Sequence, residues 1–240
     1  MRFLKLEKRN KISYVSFTRT KSLNALNSET LRELIDLNIE LDNDMNTKVV
    51  VYRSEGKNFS AGADIKEEQQ KKLSKLQIWK SNLGKEAIES ILKINQITIA
   101  SLKGFCLGGA ACIATACDFR VASETTQVAY PEIDLGMNLN WFGLPLLLRL
   151  IGPSKTKKMV ISGEIENAND LYKWGFIDEL FKDEELDKKT IAFAKKYASK
   201  SALPTQMIKR SVNALTYQAD QTIMHMDYDQ FLLTREFHKK

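Results

Sequence analysis

The chain has 240 residues, of which 43% are hydrophobic and 28% are charged, and its formal net charge is +6 at pH 7. This composition is typical of one soluble globular domain with a substantial core, and it excludes an extensively disordered chain. The longest apolar runs, such as GLPLLL before Arg149, are too short for a membrane-spanning helix, which needs roughly 18 residues.

The first residues, MRFLKLEKRN, alternate charged and apolar side chains, which predicts a first strand rather than a signal peptide. The three cysteines, Cys106, Cys112 and Cys117, lie within twelve positions and lack zinc-site spacing, which indicates buried thiols in a reducing compartment. Both histidines, His225 and His238, lie near the C-terminal end, which argues against histidine catalysis. We therefore expect a soluble, cytoplasmic protein that binds no metal.

The basic residues are spread along the chain without an aromatic–basic motif, so neither a nucleic-acid nor a membrane partner is expected. The segment with the most uneven charge is 66–85, which has six lysines against Glu67 and Glu68. A solvated helical face and a nearby phosphate-bearing ligand would each explain this segment.

Alternation of apolar and polar residues predicts strands, and an apolar spacing of three to four predicts helices. A hairpin turning at Asn10–Lys11 is predicted first, followed by a helix capped by Asn27 or Ser28. One long helix is predicted after the KNFSAGADIKEE loop, with Leu73 and Leu83 on its apolar face. The other predicted strands are KVVVYRSEG, ITIASLKG and FRVASE.

In the second half, helical segments are predicted near 140–150 and 154–161, and Pro204 is well placed to begin another helix. Strands and helices alternate in the first two thirds, and helices dominate the last third. We therefore expect an α/β fold of repeated ββα or βα units with a helical C-terminal extension. The predicted division is a core at 1–185 and a helical region at 186–240.

Two segments share one design, in which a buried strand is followed by small residues and then by a helix: SAGAD at 60–64 and GFCLGGA at 104–110. The first amides of a helix have no partner within it, and the helix dipole is positive there. If both loops direct free amides at one point, they form a two-donor site for an oxygen that becomes negative during a reaction. Close packing of helix and strand would also select glycines, so both explanations stay open.

Other glycine-loop chemistries fit the sequence less well. GFCLGGA lacks the GxGxxG spacing of dinucleotide folds, and GPSKTKK at 152–158 lacks the upstream glycine of a P-loop. The chain contains no GxSxG nucleophile elbow.

Three motifs in order, NFSAGADIKE at 58–67, SLKGFCLGGAACIATACDFRVAS at 101–123 and YPEIDLG at 130–136, resemble the crotonase, or enoyl-CoA hydratase/isomerase, superfamily. The resemblance extends from RTKSLNALN through 151–180 to the helical tail, and so covers nearly the whole chain. It implies a spiral of ββα units with a helical trimerisation region, assembled as a homotrimer or a dimer of trimers. It also implies an acyl-CoA substrate, with coenzyme A as part of the thioester and no permanently bound cofactor.

By the same resemblance, the backbone amides of Ala63 and Gly109 bind the thioester oxygen. Glu132 corresponds to the second of the two glutamates that hydratases of the superfamily use, whereas Cys112 occupies the position of the first. Adding water needs both groups, while moving a double bond from Δ3 to Δ2 needs one base. We therefore assign Glu132 as a lone proton shuttle, with a pKa raised by an apolar pocket.

Further substrate-binding residues are expected around these positions. Lys66 is placed near the CoA phosphates, and Asp64 is either part of the site or a helix cap paired with Glu67. Trp141 and Phe142 replace small residues of hydratases, and they either shape an acyl pocket or pack in the core. The full set of predicted substrate-binding residues is Ala61, Asp64, Ile65, Lys66, Gly108, Cys112, Trp141 and Phe142.

Three alternatives to isomerisation stay open: hydration with a degraded acid/base pair, decarboxylation of a malonyl-type acyl-CoA, and non-catalytic acyl-CoA binding. Cys112 is not favoured as a nucleophile, because no histidine or asparagine partner lies nearby in sequence. Asp134 could assist Glu132, although an exposed side chain is the simpler expectation.

Overall fold

The computed structural model describes residues 1–68, 74–217 and 226–238. Leu73 and His225, which the sequence analysis considered, lie outside these ranges. The strands are β1 Leu4–Arg9, β2 Ile12–Phe17, β3 Val49–Ser54, β4 Ile97–Leu102, β5 Phe105–Leu107, β6 Phe119–Ser123, β7 Gln127–Ala129, β8 Glu166–Asn167 and β9 Glu179–Phe181.

Helices cover most of the remaining described chain, and none of them is both long and apolar enough to cross a membrane. The helices are α1 Ser28–Asp42, α2 Ile65–Glu68, α3 Lys75–Lys80, α4 Leu83–Lys93, α5 Gly109–Ala116, α6 Gly143–Ser162, α7 Ala168–Lys173, α8 Leu186–Ala198, α9 Ala202–Tyr217 and α10 Asp227–His238. Short 3-10 turns span Thr20–Ser22, Pro131–Leu135 and Asp183–Glu185.

The larger sheet has six strands in the order β1-β2-β3-β4-β6-β9. Strand β1 is antiparallel to β2, and all other neighbours are parallel. Alternate residues of β3 enter different cores: Val50 and Tyr52 pack in the core that also contains α1, α4 and α5, while Val49 and Val51 pack with α8. Because both faces are covered, the strand is a continuous apolar run.

A smaller sheet positions the site. Its order is β5-β7-β8, with β5 and β7 parallel and β7 and β8 antiparallel. Because the carboxyl ends of neighbouring parallel strands meet at one edge, the glycines that follow β5 lie beside the Pro131–Leu135 turn that follows β7. The Gly108 amide donates to Ala129 O at 2.9 Å, which fixes this neighbourhood.

Most element predictions are confirmed. The Asn10–Lys11 hairpin forms, Asn27 caps α1 by accepting from the Thr30 amide, and Pro204 lies in the first turn of α9. The helical segments predicted near 140–150 and 154–161 both fall in α6, which is interrupted at Gly152 by a non-helical φ of 73°.

The single long helix predicted after the SAGAD loop is wrong. Helix α3 begins with a capping box at Ser74 and Gln77, and its last residue is Lys80. Ser81 is extended, and the Asn82 side chain then accepts from the Lys85 amide to begin α4. These two residues in succession end one helix and begin the next, because Ser81 leaves the helical conformation and the Asn82 side chain takes the Lys85 amide.

The division after residue 185 stays a prediction. Helix α8 lies beyond that boundary, yet Leu186, Ala194 and Ala198 pack against the larger sheet. The first part of the C-terminal region therefore shares a core with the strands.

Candidate active site

The two glycine-containing loops lie side by side. Ser60 pairs with the end of β5, because its amide donates to Phe105 O at 2.9 Å and its carbonyl accepts from the Leu107 amide at 3.1 Å. Gly62 has a φ of +88°, and a Cβ at this position would lie 2.5 Å from Leu107 O. The backbones approach closely only because this residue has no side chain.

Two backbone amides are available at this junction. Gly62 O and the Asp64 amide both bond to Leu26, so the amide of Ala63 between them points to the opposite side of this extended segment. Gly109 is the first residue of α5, where a helical amide has no partner within the helix. Neither amide donates to a protein acceptor within the described ranges, and both residues line one cavity of about 100 Å³.

Glu132 lies on the wall of the same cavity, in the turn after β7. Its Oε1 atom is 2.9 Å from the position that a Cβ on Gly108 would occupy. Its Oε2 atom is buried and has no hydrogen-bond partner in the described part of the chain. Burial raises the pKa of this carboxyl to about 7, because a charge is poorly solvated there.

The raised pKa predicts a pH-dependent effect of Glu132→Gln on stability. Because the pKa of Glu132 is higher in the folded state than in the unfolded state, its protonated form contributes to the free energy of unfolding. This contribution is complete below about pH 4.5 and is lost as pH rises through about 7. Glutamine should therefore raise the free energy of unfolding relative to wild type, by at most about 3 kcal/mol, at about pH 8.5 and have little effect at about pH 4.5. Urea unfolding at the two pH values measures this; equal effects at both would contradict the assignment of a buried, titrating carboxyl.

Cys112 also lines the cavity, but as a neutral group. It is 1% exposed, and its Sγ atom lies 3.8 Å from Asn140 O. Burial, followed by the nearby charge of Glu132, raises the pKa of this thiol well above its ordinary value. A thiol that stays protonated is a poor nucleophile and a poor acid/base group at neutral pH.

Trp141 and Phe142 form a turn in which both residues have a φ of +56°, in the left-handed region. The Trp141 indole packs between Gly84 and Gly109. A Cβ on Gly84 would lie 1.6 Å from the ring, and a Cβ on Gly109 would lie 2.1 Å from it. Trp141 lines the cavity, whereas Phe142 is 5% exposed and packs in the core beneath it. Of the two aromatic residues, only Trp141 borders the space that a substrate would enter.

Helix α10 contributes a wall that the sequence analysis missed. Phe231 lines the cavity, and its neighbours on the helix hold the loop 136–142 that separates Glu132 from α6. The inner face of α10 is defined here as Asp227, Gln230, Phe231, Thr234 and His238. Its contacts are Asp227 Oδ2 with the Phe142 amide (3.2 Å), Gln230 Oε1 with Asn138 Nδ2 (2.8 Å), Thr234 Oγ1 with the Asn138 amide (3.0 Å), and the His238 ring with Gly136.

The remaining predicted site residues divide into two groups. Ala61, Ile65 and Gly108 line the cavity, together with Leu135, Met137 and Asn140, which were not predicted. Asp64 borders an adjoining cavity of about 90 Å³ and forms an ion pair with Arg19 at 2.9 Å. Its Oδ1 atom also accepts from the Glu67 amide at 3.4 Å, as a helix cap does.

Lys66 is exposed and is not part of either cavity wall, so a contact with CoA phosphates stays a prediction. Asp134 is exposed and faces Gly163, away from the cavity: a Cβ on that glycine would lie 3.0 Å from Asp134 Oδ2.

Residues 7–240 match the family described as enoyl-CoA hydratase/isomerase. The chain is 31% identical over 210 residues to the short-chain-enoyl-CoA hydratase of Clostridium acetobutylicum, a match that covers 87% of this chain and 80% of that protein. It is 30% identical over 228 residues to the crotonyl-CoA hydratase of Syntrophomonas wolfei subsp. wolfei, covering 94% of this chain and 87% of that protein.

Solved structures agree with the expected fold. An enoyl-CoA hydratase from Mycobacterium avium subsp. paratuberculosis superimposes with a TM-score of 0.89 at 20% identity, over 98% of this chain and 94% of that one. One from Bacillus anthracis superimposes with a TM-score of 0.83 at 25% identity, over 99% and 92% of the two chains. The crotonase-type fold is thus confirmed, and with the match over nearly the whole sequence it shows that the chain belongs to the enoyl-CoA hydratase/isomerase family.

Proposed function

We propose that this chain binds an acyl-CoA thioester with its carbonyl oxygen at the amides of Ala63 and Gly109, and moves a double bond from Δ3 to Δ2. The observation that carries the proposal is that Glu132 is the sole acid among the described residues that line the cavity. Its partnerless oxygen and raised pKa suit a group that both removes and returns a proton near neutral pH.

The reaction needs two proton transfers and no other reagent. Ionised Glu132 removes a proton from C2 of the 3-enoyl thioester, and the electron pair of the C2–H bond forms the C1=C2 bond of a dienolate. The negative charge on the thioester oxygen is stabilised by the Ala63 and Gly109 amides. Protonated Glu132 then gives its proton to C4, the double bond forms between C2 and C3, and the carboxylate is regenerated.

Hydration of a 2-enoyl thioester is the second candidate, and the names of the two hydratase relatives favour it. In that reaction one group must deprotonate water while another protonates the α-carbon. In this chain the position of the first glutamate holds the Cys112 thiol, which burial keeps protonated. Glu132 alone would then have to serve both steps, so we place hydration below isomerisation.

The oligomeric state and the cellular location of the protein are also proposals. A homotrimer or a dimer of trimers in the cytoplasm follows from the family resemblance. The exposed apolar side chains of α9, which include Met207, Ile208, Val212 and Leu215, support a surface between copies. Light scattering of the purified chain measures its mass in solution.

A panel of short acyl-CoA thioesters tests the reaction. Incubation with 3-enoyl-CoA should give 2-enoyl-CoA at least about tenfold faster than 2-enoyl-CoA is converted to the 3-hydroxy product. The reason is that one carboxyl lines the cavity among the described residues, and each acid/base group contributes roughly 10²–10⁴ in rate. Liquid chromatography with mass detection separates the products.

Faster hydration than isomerisation in that panel would contradict the proposal in favour of the second candidate. Consumption of a malonyl-type CoA alone would indicate decarboxylation, and binding without turnover of any thioester would indicate a non-catalytic binder.

A further inference from the structure

Asp227 is a buried acid whose presence the proposed reaction does not explain. It is 7% exposed, and its Oδ1 atom has no hydrogen-bond partner among the described residues. Its Oδ2 atom accepts from the Phe142 amide at 3.2 Å. Burial raises the pKa of this carboxyl, because its charge is poorly solvated there, while the Phe142 amide and the charge of Lys85 act in the opposite direction.

The contact of Asp227 stabilises an unusual turn. Trp141 and Phe142 are consecutive non-glycine residues with a φ of +56°, a conformation that few such residues adopt without support from their surroundings. The supporting acceptor comes from α10, which is separated from the turn by 85 positions in the sequence. The rest of the inner face of α10 holds the loop on the N-terminal side of the same turn, through Asn138 and Gly136.

The conformation of the Trp141–Phe142 turn determines where the Trp141 indole lies. Trp141 packs directly on Gly109, so closely that a Cβ on this glycine would be 2.1 Å from the ring. Gly109 carries one of the two amides to which the proposed function assigns the thioester oxygen. A displaced indole would therefore change both the cavity wall and the support of that amide.

We propose that Asp227 is a positioning residue: through the Phe142 amide it holds Trp141 against Gly109 and so keeps the Gly109 amide directed at the thioester oxygen. The inference rests on the proposed function for its catalytic consequence. The link from Asp227 to Trp141 is structural and is testable without any substrate.

The kinetic test compares two substitutions of Asp227 in the full chain. Asp227→Ala removes the acceptor and should lower kcat for 3-enoyl-CoA by about ten- to a hundredfold, with a smaller change in KM, because a displaced donor acts mainly on the transition state. Asp227→Asn keeps an acceptor oxygen of the same reach and should restore kcat to within about threefold of wild type. The control is Asp229→Ala on the same helix as Asp227, which removes the bond that Asp229 Oδ1 accepts from Trp79 Nε1 of α3 and should leave kcat unchanged.

The structural test uses Trp141 as a fluorophore. The chain has three tryptophans, so Trp79→Phe together with Trp174→Phe leaves Trp141 as the only one. In this background Asp227→Ala should shift Trp141 emission to longer wavelength and increase its quenching by acrylamide, whereas Asp227→Asn should do neither. If Asp227→Ala does not fold, Asp227→Ser, whose hydroxyl is too short to replace the acceptor, takes its place.

The outcomes separate this inference from the proposed function. An unchanged Trp141 environment in the folded Ala or Ser variant would overturn the positioning role, as would an Asn variant as impaired as the Ala variant. If wild type shows no isomerase activity while the emission shift occurs, the proposed function fails and the link from Asp227 to Trp141 stands.

Discussion

Replacing Glu132 with glutamine is expected to lower kcat for Δ3-to-Δ2 isomerisation by about a thousandfold, within the roughly 10²–10⁴ that a positioned acid/base contributes. The amide cannot accept the C2 proton, and no other acid among the described residues lines the cavity. Because glutamine has nearly the same shape and carries no charge, the affinity for a saturated acyl-CoA should change little. Initial rates from the 3-enoyl substrate and the Kd of butyryl-CoA by calorimetry measure the two effects.

The matched control is Asp134→Asn, which makes the same change of acid to amide in the same turn. Asp134 is exposed and faces Gly163 rather than the cavity, so this variant should keep the wild-type kcat. Isomerase activity that survives Glu132→Gln would show that another group moves the proton. A malonyl-type decarboxylase activity that survives it would favour enolate stabilisation alone as the chemistry of this site.

Gly109→Ala should lower kcat by about 10²–10³, the loss typical of removing one donor from a site that stabilises an oxyanion. The new methyl group would lie 2.1 Å from Trp141 Cζ3, so either the ring or the backbone that carries the amide must move. Steady-state kinetics together with the far-UV circular dichroism spectrum distinguish loss of the donor from loss of the fold.

Gly84→Ala provides the comparison, because its methyl group would meet the same indole from the other side, at 1.6 Å. Gly84 belongs to α4, so this variant acts on the ring without adding an atom to Gly109, the residue that carries the amide at the start of α5. We expect a smaller loss of kcat, about tenfold, since positioning is impaired but the donor remains. Equal losses in the two variants would indicate that the indole, and not the Gly109 amide, is the group that matters.

The sequence analysis located the centre of the site because its residues belong to local patterns. A strand followed by glycines and a helix start predicts free amides, and this pattern occurs at SAGAD and at GFCLGGA. The assignment of Glu132 came from the resemblance of the YPEIDLG motif to the family. The described structure brings Ala63, Gly109 and Glu132 to one cavity, while their catalytic roles stay proposals.

Local patterns misled where two capping residues interrupted an apolar periodicity. The apolar spacing around Leu83 fits a helix both before and after Ser81 and Asn82. The chain nevertheless leaves the helix there, because Ser81 is extended and the Asn82 side chain accepts from the Lys85 amide. Phe142 is a similar case, because sequence cannot distinguish a buried aromatic side chain from one that lines a pocket. In the tertiary structure, the left-handed turn places Trp141 at the cavity and Phe142 beneath it.

By itself, the sequence determined the first hairpin, the strands β3, β4 and β6 and the two glycine loops, because each depends on residues within a few positions of one another. The assignment of Glu132 came from the family resemblance. The tertiary structure alone decided that α10 closes the cavity with Phe231 and that Asp227 supports the Trp141–Phe142 turn. Four of the five residues of the inner face of α10 are polar, and Gln230 and His238 are exposed, so no apolar stripe marks this face or its packing partner in the sequence. The partner depends on how the chain packs across 85 positions, which no local pattern of side chains encodes.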